Sequence, residues 1–166
     1  MIQYCRSLNR LLVLICALVV GACATPGSAE DVLLKVDGNV TTALRLSRAE
    51  FEALPRTAIA AKDKSGDSHE YEGVDLAVLL EMAGVPLKEA FKGEHAAKYL
   101  QAKAADGYIA VFALPEFDHQ DFIVADKQDG TPLPDGQGPL QIVAPEDRHQ
   151  SRWVRELIEL RIMTAN

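Results

Sequence analysis

The chain predicts an α+β domain, a mixed and mostly antiparallel sheet with short helices. Three observations lead there. Short apolar runs recur along the chain with turn residues between them. The helical patterns are brief and do not alternate with strands at the spacing of a parallel βαβ chain. The composition, 48% hydrophobic and 25% charged over 166 residues, is that of a globular protein.

The elements follow in order. Residues 32–37 and 40–46 read as two short strands, with Gly38-Asn39 between them as a two-residue hairpin turn. Val40, Thr42, Leu44 and Leu46 share one face of the second run. Ser47-Arg48-Ala49-Glu50 is a capping box that opens a short helix carrying Phe51 and Leu54, stopped by Pro55. Residues 57–62 read as a strand, 63–67 as a turn and 69–71 as the returning strand. Residues 75–83 give the clearest helix: Leu76, Leu79, Leu80 and Ala83 form one stripe, ended by Gly84 and Pro86. Residues 87–95 are ambiguous. Residues 98–104 alternate, Asp106-Gly107 turns the chain, and 108–113 returns. Further strands are expected at 122–125, 140–144 and 157–162, with loops at Asp129-Gly130 and 134–138 and a helical turn around Trp153–Glu156.

The first residues carry a different message. Arg6 and Arg10 precede the apolar run 11–20, and small residues with a proline follow to Ala29. That is the three-part layout of a secretory signal, with an apolar run too short for a membrane span. Cleavage after Gly27-Ser28-Ala29 makes residues 1–29 the leader and 30–166 one domain, starting at Glu30. Val20-Gly21-Ala22-Cys23 also resembles a lipobox, which would make the leader 1–22 and leave a lipid anchor on Cys23. Both readings place the protein outside the cytoplasm, in the periplasm of a bacterium. No adjacent Arg-Arg pair marks twin-arginine export. All three cysteines, Cys5, Cys16 and Cys23, fall in the leader region, so residues 30–166 hold no thiol.

The net charge is −7, and losing the two leader arginines takes it to −9, which argues against a nucleic-acid binder. No Gly-x-Ser-x-Gly, His-Glu-x-x-His or Walker loop occurs. His69, His95, His119 and His149 stand singly, without the spacing of a zinc site. The informative cluster is Arg148-His149-Gln150-Ser151-Arg152-Trp153-Val154-Arg155. Guanidinium forks suit phosphate or carboxylate, and an indole offers a face to a flat ring. Read alone, the cluster is first a basic turn with Trp153 in the core. Asp106-Gly107-Tyr108 is likewise first a turn, although an Asp carboxylate can pair with adjacent ring N–H donors.

These segments, taken together, resemble the molybdopterin-binding domain of sulfite-oxidase-type oxidoreductases. The resemblance rests on Leu54-Pro55, Tyr71-Glu72-Gly73-Val74-Asp75-Leu76, Asp106-Gly107-Tyr108, Gly138-Pro139-Leu140-Gln141-Ile142-Val143-Ala144-Pro145 and Arg152-Trp153-Val154, in that order. It implies a mixed α+β domain holding a pterin or molybdopterin in a cleft, with enzymes that oxidise or reduce small oxyanions or sulfoxides. It implies binding residues at Lys62, Asp106, Tyr108, Arg148, His149, Arg152 and Trp153. Trp153 would stack on or border the ring, Arg148 and Arg152 would meet its polar groups or tail, and Arg152→Ala would weaken pterin binding without unfolding the domain. The family's molybdenum-ligating Cys falls near Ala61, and Gln141 stands where an Arg often lies. A thiolate fixes and tunes the metal, and alanine cannot coordinate, so the departures argue against molybdenum and against catalysis.

The resemblance therefore implies an exported, non-catalytic pterin-binding domain, a periplasmic sensor or adaptor for a membrane-bound cyclic-dinucleotide signalling protein. An active molybdopterin enzyme holding its metal without a protein thiolate, and an adaptor with no ligand, remain open at the level of sequence.

Overall fold

The computed structural model describes residues 32–165. The expected leader, its cysteines and Glu30 lie outside them. Ten strands and two α-helices follow one another: β1 (Leu34–Gly38), β2 (Leu44–Leu46), α1 (Arg48–Glu52), β3 (Thr57–Lys62), β4 (Ser68–Asp75), α2 (Leu76–Met82), β5 (Lys98–Ala104), β6 (Ile109–Ala113), β7 (Ile123–Gln128), β8 (Thr131–Pro132), β9 (Gln141–Val143) and β10 (Leu157–Thr164). They form two five-stranded sheets. The first runs β2-β1-β10-β5-β6; the second runs β3-β4-β7-β8, with β9 also on β7. Pairing is antiparallel except where β1 meets β10, the first and last strands, side by side and parallel. The mixed, mostly antiparallel α+β architecture is the one the sequence predicts.

Both sheets feed one core. Leu34, Val36, Leu100, Ala102, Phe112, Leu160 and Ile162 come from the first, and Tyr71, Val74, Ile123, Val124 and Ile142 from the second. Phe51 on α1 and Leu76, Leu79 and Leu80 on α2 are fully buried against them. The capping box holds α1 as read: the Ser47 hydroxyl accepts from the Glu50 N–H, and Glu50 Oε2 accepts from the Ser47 N–H at 2.8 Å. Asp75 caps α2 by accepting the Ala77 N–H at 2.8 Å.

Several boundaries differ from expectation, each for a local reason. The strand read at 40–46 shrinks to Leu44–Leu46, and no two-residue hairpin forms at Gly38-Asn39. The intervening segment is drawn to the end of α2, where the Thr41 and Thr42 N–H groups both donate to the Ala83 carbonyl at 3.0 Å. That satisfies a helix C-terminal acceptor that has no partner within the helix. The return strand read at 69–71 continues to Asp75, and the run read at 122–125 continues to Gln128. Residues 87–95 resolve into the short 3₁₀ turns Lys88–Ala90 and Gly93–Ala97. The helical turn expected at Trp153–Glu156 sits earlier, at Gln150–Arg152. Val154 is instead held by its carbonyl, which accepts from the Ile142 N–H at 2.9 Å.

Gly73 is required by close approach rather than by its own dihedrals. A Cβ there would lie 2.1 Å from the Val124 carbonyl oxygen, where β4 crosses its register shift against β7. Neither backbone can yield without breaking the ladder. Gly73→Ala is therefore expected to destabilise the domain by about 3 kcal/mol or more, read as a lowered urea midpoint. A midpoint equal to wild type would show that the two strands separate freely at this point.

Candidate functional site

The segment after β9 crosses from one sheet to the other and builds a cleft on the way. Gln150 donates its side-chain N–H to the Lys62 carbonyl at the end of β3, fixing the basic turn against that strand. Trp153 is 7% exposed; its indole N–H donates to the Ala144 carbonyl at 2.8 Å, and its ring meets Tyr71 edge-on at 5.6 Å. Glu156 then adopts a left-handed conformation (φ 49°), held by Glu156 N–H to Gln137 C=O and Ala105 N–H to Glu156 C=O, each 2.9 Å. The chain enters β10 from there.

Two lobes flank this segment. The larger, about 560 Å³, is lined by the end of β3, the 63–66 turn, Pro145, Asp147, Arg148, Gln150 and Trp153. The smaller, about 280 Å³, is lined by Asp106, Tyr108, Arg155 and Glu156 among others. Lys64, Gln150 and Trp153 line both, so the lobes form one cleft divided by the Trp153 edge. The size suits a small ligand. A separate cavity of about 610 Å³ between Asn39–Thr41, Gly84, Pro86, Glu94, His95, Lys98 and Thr164 includes none of the expected site residues.

Four cations line the cleft: Lys62, Lys64, Arg148 and Arg155. Among the described residues none of the four has an ion-pair partner, whereas Arg56, Arg152 and Arg161 do. Four carboxylates line the same cleft, Asp63, Asp106, Asp147 and Glu156, and three of them already accept bonds. Asp63 accepts the Ser65 and Asp67 N–H groups at 2.8 and 3.0 Å, Asp106 accepts the Tyr108 N–H at 2.8 Å, and Asp147 is paired with Arg152. The lining thus carries four cations and four carboxylates, and what distinguishes the cations is that their donors are not taken up by an ion pair among the described residues.

Of the residues singled out by sequence, Lys62, Arg148 and Trp153 meet in the larger lobe and Asp106, Tyr108 and Trp153 in the smaller. Tyr108 is anchored by its hydroxyl, which donates to the Ser151 carbonyl at 2.5 Å. His149 is exposed and lines neither lobe. Arg152 also lines neither. Its guanidinium grips Asp147 through two N–H groups at 2.9 and 2.5 Å and Glu116 through a third at 2.6 Å, and it lies 4.9 Å over the Phe112 ring. The Asp147 carboxylate, with Glu116 adding to it, raises the Arg152 pKa further above its ordinary value. Arg152 is a brace between the basic turn, the Glu116 turn and β6.

The chain matches a family model, the oxidoreductase molybdopterin binding domain, over residues 22–166. It belongs to that family. Among solved structures it is similar to the sulfane dehydrogenase SoxCD from Paracoccus pantotrophus, at 25% identity and a TM-score of 0.65. That match covers 84% of this chain and 40% of the SoxCD chain, so the chain spans less than half of that relative. No curated protein matches the chain.

The lining can be tested against the family's group. A flat ring with an anionic tail fits the uncommitted cations and the partly accessible Trp153 edge. A metal meets no thiolate here, because residues 32–165 hold no cysteine; Ala61, 6% exposed, lines the larger lobe, and no group of three or more metal-ligating side chains occurs among the described residues. Gln141 lies on β9, buried and away from both lobes, with its Oε1 unpartnered.

Sequence reasoning did not single out Lys64, Gln150 or Glu156. Lys64 sits in a turn that looks like any solvated hairpin tip. Gln150 acts through a backbone acceptor distant in sequence, and no local pattern marks the backbone conformation of Glu156. His69 on β4 anchors the same turn region: Nδ1 is 2.7 Å from Asp129 Oδ2 and Nε2 is 3.7 Å from Asp63 Oδ2.

Two outcomes are expected. Arg152→Ala leaves Asp147, 10% exposed, without its cation, and costs about 3 kcal/mol of stability. A urea melt of the variant checks this, and a wild-type midpoint would return Arg152 to the list of free cleft cations. The hydrogen bond to Asp129 raises the His69 pKa against the opposing effect of burial. Its stabilising contribution is full below the unfolded value of about 6.5 and is lost as pH rises through the raised folded value. An NMR titration should place His69 above a free histidine, and His69→Gln should flatten the fall in stability across that window. A titration at or below the free value removes the contribution.

Proposed function

We propose that this chain is an exported pterin-binding domain that does no redox chemistry itself and acts as a periplasmic sensor or adaptor. The observation that carries the reading is one cleft in which Lys62, Lys64, Arg148 and Arg155 have no ion-pair partner among the described residues and Asp106 and Glu156 supply acceptors. A guanidinium or ammonium without an ion-pair partner keeps its donors for an anionic group of a ligand. Lys62, Lys64 and Arg148 surround the larger lobe and would hold a phosphate or carboxylate tail. Asp106 and Glu156 border the smaller lobe, where a carboxylate can accept from the amino and ring N–H edge of a pterin. Trp153 separates the two and offers its edge to the ring.

Bound molybdopterin would supply oxo-transfer chemistry at its metal. In this chain Ala61 stands where the family's thiolate would complete that metal's ligands, so the proposed role is recognition of the organic ligand. The leader pattern of residues 1–29 supports export, with the Cys23 lipobox as the anchored form. A sensor in that place needs a membrane-bound reader, and a cyclic-dinucleotide signalling protein is the proposed one.

The test is a calorimetric titration of the exported protein with a reduced pterin, with and without an anionic tail. Arg148→Ala should weaken the tailed pterin about tenfold, the loss of one hydrogen bond to a charged group. It should leave the tailless pterin nearly unchanged. Metal analysis of natively exported protein should find molybdenum well below one atom per chain, and intact mass should place Glu30 first. Absence of binding to either pterin abandons the ligand; stoichiometric molybdenum abandons the non-catalytic role.

A further inference from the structure

The two sheets have several open edges, and most are blunted. β2 is three residues long with an exposed Arg45 at its centre, and β8 is two residues with Pro132. β3 has a cation at each end, Arg56 and Lys62, and its last carbonyl accepts from Gln150. β6 is different. It closes the first sheet with five residues, Ile-Ala-Val-Phe-Ala, that include neither a charge nor a proline. Ile109 and Val111 are 46% and 51% exposed.

The hydrogen-bond phase shows what that edge presents. The Ala104 N–H donates to the Tyr108 carbonyl at 2.9 Å, and the register then makes Ala102–Ala110 and Leu100–Phe112 the hydrogen-bonded pairs. In an antiparallel ladder the alternate residues turn N–H and C=O the other way. On β6 these are Ile109, Val111 and Ala113. The Ala113 N–H agrees with this phase, because it leaves the sheet and donates to Glu116 Oε1 at 2.9 Å. The N–H and C=O groups of Ile109 and Val111 have no protein partner among the described residues. The two residues with open backbone groups are thus the two whose side chains are exposed and β-branched.

We propose that β6 pairs with β6 of a second copy of this chain, antiparallel about a two-fold axis, joining two five-stranded sheets into one. In that pairing Ile109 faces Val111 of the second copy and each exchanges N–H···O=C bonds with its counterpart. The self-complementarity selects this occupant. In a chain of net charge −7 most faces repel their own copies, but the paired segments here hold no charge, and apolar β-branched side chains meet across the axis. Two five-residue strands make a small interface, near or below the roughly 1,200 Å² of a stable complex. The pair is therefore reversible and concentration-dependent. It does not depend on the ligand reading of the cleft.

The test is sedimentation velocity on the chain expressed at full length, followed over a wide concentration range, with hydrogen exchange at both ends of that range. Wild type should move from monomer to dimer mass as concentration rises, and the Ile109 and Val111 amides should become protected in step. Val111→Lys and, independently, Ile109→Lys place a charge against the second copy at exposed positions, where folding tolerates it. Both should keep the wild-type melting temperature and lose the dimer. A wild type that stays monomeric throughout overturns the proposal, as does a dimer whose Ile109 and Val111 amides exchange as fast as in the monomer. Persistence of the dimer in a folded Val111→Lys protein overturns it as well.

Discussion

Trp153 is the point on which the two sheets and the cleft depend. Its indole N–H is bonded to the Ala144 carbonyl just past β9, and its ring packs against Tyr71 on β4. The same short run then sends the Val154 carbonyl to Ile142 and the Leu157 N–H to Leu140 before joining β10. One buried aromatic and a handful of backbone bonds thus tie the second sheet to the last strand of the first. An indole buried with its donor satisfied contributes area without an orphaned polar group, which is what a seam between sheets requires.

The seam also explains how one basic run serves opposite purposes. Four residues apart, Arg148 and Arg152 have the same chemistry, yet the tight turn between them points one into the cleft and the other under it. Arg152 finds Asp147 and Glu116 and becomes a brace. Arg148 and Arg155 find no acid and remain available to a ligand. The difference comes from where partners lie in space, since the acid that fixes Arg152 most firmly sits next to Arg148 in sequence.

Legibility in the sequence follows the range of the forces involved. The capping box at Ser47, the stripe on α2 and the alternation of β5 are local and could be read directly. So could the family, because its short segments keep their order even where each is weak. The strand pattern at 40–46 is cut short because the Thr41 and Thr42 N–H groups go to Ala83, and the turn pattern at Trp153 is displaced because Val154 is claimed by Ile142. Both are tertiary acceptors that no window around the residue contains. The site was legible to the same extent. Lys62, Arg148, Asp106, Tyr108 and Trp153 converge, but Gln150 and Glu156 act through backbone geometry, and Arg152 through acids that sequence offers no reason to choose.

Ala61 and the charged side chains of the cleft differ in what they can offer a ligand. Lys62, Lys64, Arg148 and Arg155 share the cleft with Asp63, Asp106, Asp147 and Glu156, so the lining offers donors and acceptors of both signs to a ligand. Ala61, by contrast, is buried at the end of β3 and paired with His69, and its methyl group has no donor or acceptor. The groups in this cleft that can form new directional bonds are therefore its charged side chains, while Ala61 and Trp153 contribute mainly apolar surface.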